Sequence, residues 1–372
     1  MKRRKCSRSS PKFSVADPHT FTKPDKESSE AAVDIMRDSY SIGVDLGGTN
    51  LRVAAYSGGD RFLESIVLPT HLSAGRDQVV RDMCEAVGGL AARGYGDRTF
   101  AGVGVGSPGP LELPAGILRK PPNLPGWDGF NLKAAIASAL GRDIVLDNDA
   151  NLAALAEQQL GAGKKYGIDD VCVFTLGTGV GNGLILNGAI WDGSNGMAGE
   201  AGHMVVKDED GSPCGCGGRG CLEQYASATA VMRMARERLG DAAPSNASEV
   251  AQMAQAGNQQ ARTVFDTVGH ALAVALTGLI NTLNLPLYLL GGGVCEAWEL
   301  FAPAMFRELE TRSYVYRLTA PRDPEPECLE AGKTYILKAQ LGPAAGLLGA
   351  CILGLKAPTL KPSPAKDLLV HQ

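Results

Sequence analysis

The 372 residues include 44% hydrophobic and 20% charged side chains, the balance of a globular protein long enough for two domains of ordinary size. A formal net charge of −4 supplies no global field for nucleic acid or an anionic membrane, so neither is an expected partner. No unbroken apolar run of about 18 residues is present, so no transmembrane helix is expected, and six of the nine cysteines are scattered like the reduced thiols of a cytoplasmic protein.

Residues 1–40 read as a disordered tail. Met1 to Lys12 is basic but lacks the apolar core of a secretory signal, and Ser, Pro, Lys and Glu dominate up to about Glu30. The segment has no periodic apolar helices from which a DNA-binding domain could be built. Order is expected from Ser41, where two apolar, β-rich runs flank Asp45-Leu-Gly47-Gly48-Thr49-Asn50. That pattern reads as a β-hairpin. Its turn glycines let backbone N–H groups approach a polyanion, Thr49 and Asn50 add polar groups, and Asp45 could face a magnesium ion through water.

Gly104-Val-Gly106-Ser-Pro-Gly109 matches a dinucleotide fingerprint in letters only. Pro108, Pro110 and Pro114 forbid the helix that should follow. No P-loop exists either, since Gly163-Lys164 lacks the first glycine and the hydroxyl residue. Pro121-Pro122-Asn123-Leu-Pro125-Gly126-Trp127 is a rigid, proline-punctuated loop with Trp127 as a packing anchor. Next, Arg142 to Glu157 reads as a strand entering an alanine-rich helix, with Asn148 or Asp149 at the N-cap position. A carboxylate fixed at such a junction beside a phosphate site is also where a phosphotransferase can place its base.

The glycine-turn hairpin then recurs as Val171 to Leu186, around Gly177-Thr178-Gly179. Gly47 and Gly177 hold equivalent places, so the chain contains two related halves. Further on comes Gly199-Glu200-Ala-Gly202-His203, and eleven residues after the histidine Cys214-Gly-Cys216-Gly-Gly-Arg-Gly-Cys221-Leu-Glu223. Three thiols and one imidazole can close a tetrahedral zinc site, with His203, Cys214, Cys216 and Cys221 as ligands. Three cysteines within eight residues are hard to explain as mere core. Glu200 and Glu223 flank the knuckle, and a zinc staple alone needs neither. From Asn258 to Leu285 a long apolar helical pattern contributes core. The strand before Gly291-Gly292-Gly293 ends in a third glycine turn, and a last apolar helix follows Leu341.

The knuckle and the preceding Gly-Glu-x-Gly-His resemble the ROK family (repressors, open reading frames and sugar kinases), and the duplicated hairpin resembles the wider actin, sugar-kinase and Hsp70 superfamily. The resemblance covers about residues 41–355. It implies an α/β fold of two RNase H-like domains with a cleft between them. The expected boundaries are a small N-terminal domain at 41–147, joined by a C-terminal helix at about 340–356, a large domain at 148–339, and a flexible tail at 357–372. The implied activity is phosphorylation of a hexose, glucose first, at its terminal hydroxyl, with ATP and magnesium as partners in the reaction. N-acetylmannosamine and N-acetylglucosamine kinases, and a non-catalytic sugar-sensing regulator, are the alternatives. The resemblance assigns Asp149 as proton acceptor and Asn123, Asn148, Asp149, Glu200, His203 and Glu223 to the sugar. It assigns Asp45, Gly47, Gly48, Thr49, Asn50, Thr178, Gly179, Gly291 and Gly292 to the nucleotide. Family members often carry Asp at Ala344 or Ala345, and none stands here. A homodimer or homotetramer is the expected assembly.

Overall fold

The computed structural model describes residues 38–59 and 61–357. The basic cluster and the expected C-terminal tail after Ala357 lie outside the described residues. The chain opens with β1 (Ser39–Leu46), β2 (Asn50–Tyr56) and β3 (Glu64–Pro69), followed by helix α1 (Arg76–Arg93). β1 starts two residues before the expected Ser41. Tyr40 is the reason: its ring is 4% exposed and packs on Tyr95 and Phe100, with centroids 5.0 and 5.1 Å away. In α1, Val79, Val80, Met83, Val87 and Leu90 recur at helical spacing and form the buried stripe against β1 and β2.

The first lobe continues through β4 (Thr99–Ser107), the ribbon of β5 (Leu111–Glu112) and β6 (Ile117–Leu118), α2 (Leu132–Leu140) and β7 (Val145–Asn148). Helices α3 (Asp149–Gln159) and α4 (Ala162–Tyr166) lead to β8 (Val171–Leu176), β9 (Val180–Leu186) and β10 (Ala189–Ile190). Then come α5 (Glu223–Ala226), α6 (Ala228–Leu239), α7 (Ala247–Gln255), α8 (Gln259–Leu283) and β11 (Leu287–Gly291). The chain closes with α9 (Trp298–Arg312), α10 (Tyr314–Thr319), β12 (Tyr335–Lys338) and α11 (Ala345–Lys356).

Two five-stranded sheets result, ordered β3-β2-β1-β4-β7 and β10-β9-β8-β11-β12. In each, the first three strands pair antiparallel and the remaining pairs are parallel. The order and directions are the same twice, so one structural unit is repeated. α8 is long and apolar enough to cross a membrane by length and composition. Here Val264, Phe265, Val268, Leu272, Leu276 and Ile280 are buried, and the helix packs on α6, α7 and α9.

The lobes are cross-linked by an exchange of helices. α3 follows the last strand of the first sheet but packs on β8 and β9 of the second, whereas α11 follows the last strand of the second sheet but packs on β1 and β4 of the first. The two helices also pack on each other, and both are buried almost all round because each is sandwiched. Small residues permit the approach: a methyl group on Gly349 would overlap the backbone of Leu152, and one on Gly104 that of Ala350. Glu157, 1% exposed, stitches the end of α3 to the loop before α11 by accepting N–H bonds from Gln340 (2.8 Å) and Leu341 (2.7 Å).

Candidate active site

The crossover from β7 into α3 sets the chemistry. Parallel pairing aligns Ser107 of β4 with Asn148, and one step earlier Gly106 with Asp147, at the carboxyl ends of these strands. Open α/β sheets bind ligands beyond such ends. Asn148 Oδ1 accepts the N–H of Ala150 (2.8 Å) and of Asn151 (3.4 Å), so Asn148 is the N-cap of α3. Asp149 is thereby freed from the capping role. It accepts the Ala150 N–H on one oxygen (2.8 Å) and lines a cleft of about 480 Å3.

Around that cleft stand Asn123, Asn148, Glu200, His203 and Glu223, the whole expected hydroxyl-binding set. Asn123 is presented by a turn in which Leu124 N–H donates to the Pro121 carbonyl (3.2 Å), anchored by Trp127, 2% exposed and edge-on to Phe130. Gly109 also lines the cleft. A side chain there would press on Asn148 Nδ2 at 2.7 Å and Glu200 Oε1 at 3.4 Å, so glycine keeps both groups open to a ligand. Glu223 starts α5, and its Oε2 accepts the Val180 N–H at 3.0 Å. The turn of the second hairpin is thus tied to the carboxylate that ends the cysteine-rich knuckle.

The cysteine-rich knuckle buttresses this wall. Cys214 N–H donates to the Gly218 carbonyl (2.9 Å) and Gly217 N–H returns to the Cys214 carbonyl (3.0 Å), with Gly217 at φ 92° and Gly220 at φ 75°. Ligand atoms of His203, Cys214, Cys216 and Cys221 all lie within 4.8 Å of one another. His203 Nδ1 is 3.6 Å from Cys214 Sγ, while its Nε2 points to Glu200 Oε2 at 3.9 Å. One imidazole therefore joins the thiol cluster to the cleft. The described cysteines are all free thiols.

Of the expected nucleotide-binding residues, Thr178, Gly179 and Gly292 line the cleft. Their wall is built by α6, capped by Ser227 Oγ on the Ala230 N–H (3.0 Å). Ala228 N–H donates to the Gly177 carbonyl (2.8 Å) and Thr229 Oγ1 to the Thr178 carbonyl (2.8 Å). Gly291 does not line it, because it packs on Ala339 at the end of β11. Gly47, Gly48, Thr49 and Asn50 also stand outside the cleft lining. Their turn is closed by Gly47 N–H to the Asn50 carbonyl (2.9 Å) and lies beside Asn123, with an added Cβ on Gly48 only 3.4 Å from the Asn123 carbonyl. Asp45 lies deeper, 3.8 Å from Arg52 and close enough to Asp149 to act on its charge. Ser227, Thr229 and Arg233 were not singled out in the sequence, although a serine before an alanine-rich helix is an N-cap signal.

The ROK family model matches residues 41–357. The chain belongs to the ROK family. It is 36% identical over 275 residues to a glucokinase from Thermotoga maritima, covering 70% of this chain and 84% of that one. The ROK hexokinase from Thermus thermophilus superposes with a TM-score of 0.70 at 32% identity, over 86% of this chain and 99% of that one. A ROK family glucokinase from Streptomyces griseus, solved in complex with glucose and AMPPNP, gives 0.67 at 30% identity, over 85% and 99%. The fold is accordingly the two-lobed, actin-like fold of the ROK sugar kinases.

Behind the site of this ROK protein, strand alternation turns Asp147 away from Asn148 into a second cavity of about 330 Å3, which Asp192 also lines. Asn151, 1% exposed, donates through Nδ2 to Asp147 Oδ1 (2.9 Å) and Asp192 Oδ1 (3.4 Å). Burial, and then the neighbouring carboxylate, push Asp147 upward.

Asp149 is pushed up to about 7, chiefly by burial and next by the charge of Asp45, with Glu200 adding to it and the Ala150 N–H opposing. A carboxyl raised from its ordinary 3.8 holds its proton in the fold between about pH 4 and 7, where the unfolded chain releases it. It therefore favours the fold below that window and opposes it above. Asp149→Asn, which keeps the Ala150 acceptor, should melt at a higher temperature than wild type at pH 8. The gap should close as the pH falls toward 5. Thermal unfolding followed across pH checks this, and a gap independent of pH contradicts the buried-charge account.

Proposed function

We propose that the protein is an ATP-dependent hexokinase that phosphorylates the 6-hydroxyl of glucose, with Asp149 as general base. The observation that carries this reading is a single cleft in which Asp149 shares space with Asn123, Asn148, Glu200, His203, Glu223 and the Thr178-Gly179 turn. Amides, carboxylates and an imidazole pair with the donors and acceptors of vicinal hydroxyls. Asn148 caps α3 with Oδ1 and keeps Nδ2 for the sugar. In the reaction Asp149 takes the proton of the 6-hydroxyl. The sugar oxygen forms its bond to the γ-phosphorus in line as the bond to the bridging oxygen of the leaving ADP breaks. Positioning and charge stabilisation do most of this work.

Gly47, Gly48, Thr49 and Asn50 would reach the phosphates from the first lobe when the lobes close, opposite Thr178 and Gly179, with Gly291 and Gly292 beside the adenosine. A magnesium ion, held through water near Asp45, would supply positive charge at the phosphoryl group. The Cys3His cluster suits zinc. With bonds of about 2.3 Å to sulfur and about 2.0 Å to nitrogen, tetrahedral geometry spaces ligand atoms about 3.5–3.8 Å apart. The Cys216–Cys221 sulfurs are 3.7 Å apart and the Cys214–His203 pair 3.6 Å. Four protein ligands leave no open position, so the ion would fix the knuckle and hold the His203 ring toward the sugar.

Incubation with ATP, magnesium and a panel of glucose, mannose, N-acetylglucosamine and N-acetylmannosamine should give the highest kcat/KM with glucose. Phosphorus NMR of the product should show an ester coupled to the two C6 protons. ADP release with no hexose, or an anomeric ester, would overturn the assignment, and a preference for an acetamido sugar would move the substrate. Cys216→Ser should lose bound zinc and glucose affinity together while ATP affinity holds, measured by metal analysis and separate titrations. Full activity in a zinc-free variant would contradict the role given to the knuckle.

A further inference from the structure

Three carboxylates, Asp149, Glu200 and Glu223, line the cleft, and a phosphoanhydride chain entering it brings further negative charge. Among the described residues that line the cleft, Arg233 is the one lysine or arginine. We infer that Arg233 binds the phosphate chain of the donor. This rests on the kinase reading above.

Arg233 stands on α6 one helical turn after Thr229, whose hydroxyl bonds the Thr178 carbonyl, so i,i+4 spacing puts the guanidinium on the wall of the second glycine turn. The same helix starts at that turn through the Ala228 N–H bond to Gly177, and its N-terminal dipole favours an anion there. A guanidinium has five N–H donors. In Arg233, Nη2 donates to the Gln224 carbonyl (2.7 Å) and Nη1 to Glu237 Oε1 (2.6 Å), while Nε is buried with no partner. Two Nη hydrogens remain for a ligand. The Gln224 bond holds the group one residue beyond Glu223, between the carboxylate wall and the glycine turn. Glu237 is a half-exposed i,i+4 partner whose bond is weak to begin with. A phosphate replacing it gains a charge-assisted pair and gives the guanidinium room to turn its buried Nε toward an acceptor.

The shared chemistry is a phosphoanhydride chain, carried by a nucleotide or by linear polyphosphate. Arg233→Met keeps the length of the side chain and its helix preference, and Arg233→Lys keeps the charge without the fork. Calorimetric titration with ADP needs no turnover, so it tests Arg233 even if the hexose assignment fails. The Met variant should lose about ten- to a hundredfold in ADP affinity, with the Lys variant between it and wild type. Glucose affinity should stay within about twofold of wild type. Tripolyphosphate, titrated in parallel, should lose affinity in the same proportion as ADP if the contact is to phosphate. If tripolyphosphate binding is untouched while ADP binding falls, the contact is to the nucleoside and the inference fails. It fails equally if ADP binding is unchanged, or if ADP and glucose weaken together with the melting temperature.

Discussion

Everything at the site depends on one crossover of the chain. After Asn148 the backbone leaves the edge of the first sheet and runs without a linker into a helix that lies on the second. The first residue of that helix is Asp149, so the carboxylate sits at the seam by construction. α11 makes the reciprocal crossing, and the close approach of Gly349 to Leu152 fixes how the two exchanged helices meet. Side chains in a packed interior cannot drift. Glu157 closes the arrangement by taking the amide hydrogens of the loop that delivers α11.

A seam position has an electrostatic consequence. Asp149 is desolvated by burial and shares its neighbourhood with Asp45 and Glu200, so the environment disfavours its charge. That is the poise a proton acceptor at neutral pH needs. The same environment costs stability wherever the group is ionised. Capping could have offset this cost, but Asn148 performs it, which leaves Asp149 answerable to the ligand rather than to the helix. On the far wall His203 links the thiol cluster to Glu200, so the cleft-lining groups there are tied to the knuckle.

Much of this was legible in the sequence because it is local. Glycine–threonine turns between β-rich runs, three cysteines in eight residues, and a polar pair opening an alanine-rich helix each follow from short-range chemistry. Division of labour within that pair was not legible, since Asn and Asp are equivalent cap formers until the backbone places one of them at the N-cap. The two hairpins read as equals, yet only the second lines the cleft, because the α6 wall and the knuckle belong to the second lobe alone. Arg233 and the Asp147–Asn151–Asp192 network escaped notice for another reason. What places them is a partner outside their own helix, Asp192 for Asn151 at 41 residues' separation and the Gln224 carbonyl for Arg233, and no spacing rule brings these together. β1 begins at Ser39 because Tyr40 meets Tyr95 and Phe100, again a long-range contact.

The proposed role of Asp149 as proton acceptor rather than structural carboxylate is decided by the pH dependence of kcat/KM for glucose in wild type and Asp149→Asn. Wild type should lose activity below about pH 7, where the acid limb follows Asp149. The variant should bind glucose normally and turn over roughly 10² to 10⁴ times more slowly, with that limb abolished. Near-wild-type turnover, or an acid limb that survives the substitution unchanged, would contradict the assignment.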